Sequence, residues 1–130
     1  MTTRRAVIAP GRKHTTDANR EILLSFWKAH ILHHAGEGGV HGQWILAELR
    51  RHGYELSPGT LYPLLARMQR AGWLRSRRAG AGARARRDYH LTAAGRKVLD
   101  RVRTMVREMY REIVEEARGG RSRNPRGLRR

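Results

Sequence analysis

Three histidines, His30, His33 and His34, fall three and four apart in the stretch AHILHHAG, and His41 follows shortly after. On a helix that spacing brings imidazoles to one face, where two nitrogens can hold a divalent metal ion. A metal site needs further donors, and no carboxylate in helical register completes one. The cluster therefore reads as a polar helix face opposite Trp27 and Ile31, and neither a metal nor a cofactor is expected. Catalytic chemistry finds no support. The chain has no cysteine, which removes disulfides, zinc ribbons and thiol nucleophiles. There is no Walker-type phosphate loop, no Ser-His-Asp context and no pair of carboxylates on an apolar face. Glu108, Glu112, Glu115 and Glu116 read as helix-surface charges, so no catalytic residue is assigned and an enzyme is not expected.

What the residue types do support is contact with a polyanion. The 130 residues hold 28 Lys+Arg against 11 Asp+Glu, a formal net charge of +17 and a pI near 11.8. Such an excess favours nucleic acid first and an anionic membrane second. Most of the basic residues are arginine, whose planar fork suits phosphate and guanine. Arg75, Arg77, Arg78, Arg84, Arg86 and Arg87 crowd one short span with no acid before Asp88. A run without a local partner implies an external one, and phosphate fits it.

A second candidate is LSPGTLYPLL, Leu56 to Leu65. Ser57 is placed to cap a helix with its hydroxyl, and Pro58 falls at the first helical position, where its missing N–H costs nothing. The free N–H groups of a helix amino end attract phosphate. Gly59 has no side chain to keep a backbone or base edge away. Thr60 and Tyr62 are donors that reach phosphates or bases, and Arg67 lies further along. Pro63 removes one hydrogen bond in the second turn, which predicts a tilt rather than a break.

The elements around these residues follow from periodicity. Ile22, Leu23, Phe26, Trp27, Ile31 and Leu32 predict a first helix over 19–35. A second runs from about His41 to Arg51 with Trp44, Ile45 and Leu49 inward, closed by Gly53. Leu61, Leu64, Leu65 and Met68 form one stripe of a third helix over 57–71. The segments WLRSRR and ARRDYHLT predict a two-stranded hairpin, a basic wing over 75–90. Thr92 caps a last helix over 93–117, where Leu99, Val102, Val106, Met109 and Ile113 make a heptad seam for dimerisation. Met105, Met109 and Tyr110 on that helix serve either a dimer core or a ligand pocket. Residues 1–18 read as a flexible basic arm, and the tail over 118–130, with six arginines and no acid, as disordered. No apolar run is long enough to span a bilayer, and the amino terminus has no signal-peptide core. A cytoplasmic location is expected.

Helix, helix, capped helix and basic hairpin is the order of a winged helix-turn-helix, here residues 19–92. The expected fold class is mainly α with a small β-hairpin, followed by a long dimerisation helix. HG at 41–42, LSPGTLYPLLARMQRAGWL at 56–74 and YHLTAAGR at 89–96 resemble the PadR family of bacterial transcriptional regulators, over roughly residues 21–115. The resemblance implies a DNA-binding domain made of the first three helices and the wing. It also implies a homodimer through the single carboxy-terminal helix of the short subgroup, and an effector that is often an aromatic small molecule. Departures are visible: Gln43 stands where the family usually has an aromatic, and the wing lacks the usual proline. The expected function is a repressor that binds a two-fold operator on double-stranded DNA. The alternatives are a non-specific architectural nucleic-acid protein, or a subunit that binds another protein through the heptad seam.

Overall fold

A computed structural model of the chain describes residues 16–82 and 86–119. Residues 1–15 of the arm expected over 1–18, Arg84 of the expected wing, and residues 120–130 of the tail expected from 118 lie outside the described residues, whereas 16–18 and 118–119 belong to helices rather than to a loose arm and tail. By internal contact the chain divides into two units, Met1–Val98 and Leu99–Arg130.

The first unit begins with α1, Thr16–Gly36, followed by β1, Val40–His41, and α2, Gly42–Arg51. Then come α3, Pro58–Arg70, the strands β2, Leu74–Ala79, and β3, Arg86–Leu91, and the start of α4, Ala93–Met109. Trp27, Ile31, Leu32 and Ala35 put one face of α1 into the core, joined by Ile45, Leu46 and Leu49 of α2. Leu61, Leu64, Leu65 and Met68 of α3 are 0–1 % exposed, so the stripe expected from sequence is the buried face. Each such side chain contributes about 1.5–3 kcal/mol when removed from water. The Tyr54 and Trp27 rings meet at right angles with their centres 6.3 Å apart.

Glycine stops both α2 and α3 by the same device. The Gly53 N–H reaches Arg50 O (2.9 Å) and the Tyr54 N–H reaches Leu49 O (3.1 Å). Gly72 and Trp73 repeat the pattern to Gln69 O and Met68 O. Both glycines have positive φ, 96° and 87°, which a side chain would oppose. Thr92 then locks the start of α4 onto the end of α3. Its hydroxyl donates to Gly72 O and accepts from the Gly95 N–H at 2.9 Å, so the expected cap is present.

Four local readings differ from the sequence expectation. The wing is not a free hairpin: β1 adds a third strand, giving the antiparallel order β1-β3-β2 with Val40 opposite Tyr89. Trp44 is 40 % exposed rather than inward, because it stands in the first turn of α2, edge-on to His34 at 5.1 Å. Ile22 and Phe26 are also exposed, since the core takes α1 only from Trp27 onward. Ser57 has the extended backbone of a cap, but its hydroxyl makes no capping bond. Its carbonyl accepts from the Thr60 and Leu61 N–H groups at 3.0 Å, so one of the two N–H groups the hydroxyl could cap, that of Thr60, is already paired. Pro63 lies inside a helix that continues to Arg70.

The second unit is helical. From Tyr110 to Glu116 the winding changes to a π-helix, with a last α-helical turn at Ala117–Gly119. The widened winding takes Ile113 out of the heptad phase set by Val102, Val106 and Met109. Leu99 is buried and Val102 half-buried, whereas Met105, Val106, Met109, Tyr110 and Ile113 are 47–62 % exposed.

Candidate nucleic-acid interface

The amino end of α3 presents Ser57, Pro58 and Gly59 to solvent, with Thr60 half-buried behind them. Pro58 has no N–H and Thr60 gives its own to Ser57 O. The Gly59 N–H is left beyond the reach of any intrahelical carbonyl. Only Ser57 Oγ, at 3.6 Å, comes near the place where a Gly59 side chain would stand. A phosphate or base edge can therefore approach the α3 backbone directly.

Tyr62 is 39 % exposed and lies over the first residue of α2. A Cβ on Gly42 would stand 2.5 Å from Tyr62 Cε1 and 2.6 Å from its hydroxyl oxygen. The ring occupies that space only because residue 42 is glycine. This contact draws the heads of α2 and α3 together, and both carry the partial positive charge of a helix amino end. His41 caps α2, its Nδ1 accepting from the Trp44 N–H at 3.2 Å.

The wing supplies charge on two faces. Cross-strand partners share a face, so Leu74, Ser76 and Arg78 lie with Leu91, Tyr89 and Arg87. Arg75 and Arg77 lie on the opposite face with His90 and Asp88, beside the Ala79–Arg86 pair. The first face packs on α3 and buries Leu74 and Tyr89. Burial raises the Tyr89 phenol above its ordinary pKa, which keeps it a neutral donor. Beyond Tyr89 the face opens into a cleft of about 440 Å³ lined by Ala66, Gln69 and Arg70 of α3 and by Ser76, Arg87 and Tyr89. Arg87 Nη1 donates to Ser76 Oγ at 3.1 Å, which leaves most of its fork free. Arg78 reaches back to Gly82 O at 2.7 Å.

Of the arginines singled out from sequence, Arg87 thus joins the α3 side. Arg77 and Arg86 face the other way, where Asp88 stands opposite Arg77 and 3.9 Å from Arg86 Nε. Arg67 is exposed on α3 but does not line the cleft. Sequence reasoning passed over Arg70 and Gln69. The buried stripe at 61, 64, 65 and 68 does place them outside the core, but only the packing of α3 on β2 shows which neighbour they face. It also passed over Glu37, which follows His33 and His34 by four and three residues and contacts both. A carboxylate in helical register is present after all.

The described residues match known proteins. A family model described as "Transcriptional regulator PadR-like family" fits residues 31–101. The chain belongs to the PadR-like family of transcriptional regulators. It is a winged-helix DNA-binding regulator and not an enzyme, as expected from sequence. Transcriptional regulator Rv3488 of Mycobacterium tuberculosis is 46 % identical over 95 residues, which span 73 % of this chain and 89 % of that protein. Among solved structures, a Streptococcus mutans protein superposes with a TM-score of 0.68 at 26 % identity, covering 78 % of this chain and 93 % of its own. A PadR-like transcriptional regulator from Bacillus cereus gives 0.67 at 25 % identity, covering 78 % and 99 %. Among the described residues of this PadR-like chain, no helix is long and apolar enough to cross a membrane.

Proposed function

We propose that this PadR-like regulator is a cytoplasmic repressor that binds a two-fold operator as a homodimer. The head of α3 reads the major groove through Gly59, Thr60 and Tyr62, with Ser57 and Arg67 at its margins. The wing grips the flanking phosphates. The observation that carries this reading is that one helix, α3, has an unobstructed amino end at Gly59 and, about three turns further along, lines a cleft with Arg70 opposite Arg87 of the wing. One element offers base-edge donors and the other sequence-blind charge, the two kinds of contact that specific recognition combines. The exposed apolar run Met105, Val106, Met109, Tyr110 and Ile113 supports the dimer, because soluble monomers rarely leave such a run uncovered. Met105, Met109 and Tyr110 on that face are the place for an aromatic effector, since methionine and tyrosine adapt to flat apolar ligands.

Selection from random duplexes at physiological salt tests the proposal. A palindrome with half-sites about 10 base pairs apart is the expected product. Recovery without sequence enrichment would sink the operator and leave an architectural protein in its place.

A further inference from the structure

The last turn of α1 gathers side chains that DNA contact leaves unused. His33 Nε2 stands 3.3 Å from Glu37 Oε2, and His34 Nδ1 stands 3.1 Å from Glu37 Oε1. The three ligand atoms lie within 4.8 Å of one another. A neutral imidazole lone pair and a carboxylate oxygen repel, so each of these close pairs needs a proton or a metal ion between its atoms. One divalent ion can replace both protons. Two imidazole nitrogens with one carboxylate form a donor set suited to zinc and its first-row neighbours. Zinc binds such atoms at about 2.0–2.2 Å, and a tetrahedron with those bonds has edges of about 3.3–3.6 Å. The two observed separations, one to each Glu37 oxygen, are close to such edges, and the wider set, within 4.8 Å, closes to them by rotation of the exposed His33 and Glu37 side chains, with water in the open position.

Two further features set this cluster apart from scattered surface histidines. His34 is only 12 % exposed, and its other nitrogen, Nε2, faces Glu48 Oε2 at 3.8 Å. With a metal on Nδ1, the proton must sit on Nε2 and point at that carboxylate. Outer carboxylates orient metal-bound imidazoles in this way. Glu48 is itself held in place: Arg51 donates to its carboxylate at 2.9 and 3.2 Å. The ligands also come from a single helical turn and the residue after it, so binding orders little additional chain.

We propose that His33, His34 and Glu37 bind one divalent transition-metal ion per chain, of the zinc type. The site lies where α1 hands the chain to the sheet. Glu37 precedes the turn into β1, whose Val40 pairs with Tyr89 of the wing. A side chain at Gly39 would stand 2.5 Å from the His90 ring, so this turn is packed directly on β3. An ion that ties Glu37 back to α1 holds the turn, and through it the edge of the wing. Resting on the DNA-binding reading above, this pre-ordering raises duplex affinity.

The test titrates Zn2+ into the full chain against a chromophoric chelator, then measures duplex affinity with and without the ion. One zinc per chain is expected. His33→Gln or Glu37→Gln should weaken it at least tenfold, and His52→Gln, next to Glu48 but outside the three ligands, should leave it in place. His33 and Glu37 are exposed, and an unchanged circular dichroism melt confirms that the variants fold. Retention of zinc by both ligand variants, or its loss in His52→Gln alone, overturns the site. Zinc bound without a rise in wild-type duplex affinity overturns the coupling to the wing. A chain that binds zinc but no duplex under any condition counts against the DNA reading instead.

Discussion

Replacing Arg70 and Arg87 together by alanine separates the two faces of the wing. Both side chains line the cleft between α3 and the sheet, and both are exposed, so their loss leaves the core intact. If each neutralises one phosphate, a dimer loses about four contacts, and each contact contributes about 0.9 to the slope of log K against log salt. The slope should flatten by roughly 3.6. Between about 50 and 200 mM salt, the deficit of the double variant relative to wild type should shrink by about a hundredfold. Sequence preference should survive, because phosphate contacts hold register without reading bases. The control is Arg77→Ala with Arg86→Ala, the pair on the opposite face beside Asp88. Fluorescence anisotropy with operator and scrambled duplexes over a salt series measures both. An unchanged slope in the cleft variant, or an equal change in the control, would refute the assignment of the α3-side face to DNA.

Two further perturbations reach other parts of the proposal. Gly42→Ala puts a methyl group 2.5–2.8 Å from the Tyr62 ring, closer than atoms pack, so the ring must leave its place. Operator binding should weaken at least tenfold, and the change should add almost nothing in a Tyr62→Ala background, a coupling that a double-mutant cycle reads directly. Val106→Asp places a carboxylate in the exposed α4 stripe, where a dimer would bury it without a partner. Leu99 is already buried, so Val106, Met109 and their exposed neighbours Met105 and Ile113, at up to about 1.5–3 kcal/mol each, favour association, and sedimentation should show a wild-type dimer and a monomeric variant. A wild-type monomer at micromolar concentration would remove the two-fold architecture.

The features legible in the sequence are those whose cause is local. The α3 stripe, the glycines that end α2 and α3, and the capping bond from Gly95 to Thr92 each depend on residues within about two turns of one another. Arg77, Arg86 and Arg87 were legible as charge but not as faces, because the register of β2 on β3 decides the side on which each stands. Residues 40–41 carry no alternation of their own and become a strand only by pairing with 88 and 89. Trp44 is apolar and in helical phase with Ile45, yet it falls in the turn of α2 beside His34, at the rim of the core. The π-winding from Tyr110 has no compositional mark in YREIVEE. Glu37 lay in plain register with the histidines and was obscured by Gly36 and Gly38, which read as the end of the helix.

The two residues of β1 also bear on how the molecule folds. Helices α1, α2 and α3 and the β2–β3 hairpin each form from neighbouring chain. The Val40–Tyr89 pairing instead joins positions far apart in sequence, with two helices and a strand between them. Closing so long a loop costs entropy that is recovered only once the intervening helices have docked. The third strand is therefore expected to be the last piece of the sheet to assemble. A nascent or partly unfolded chain has its arginines but no seated wing, so only a completed domain presents them as a shaped surface. In kinetic terms, amide protection at Val40 and His41 should appear after protection of the three helices, and these two residues should be the first to lose it when the domain opens.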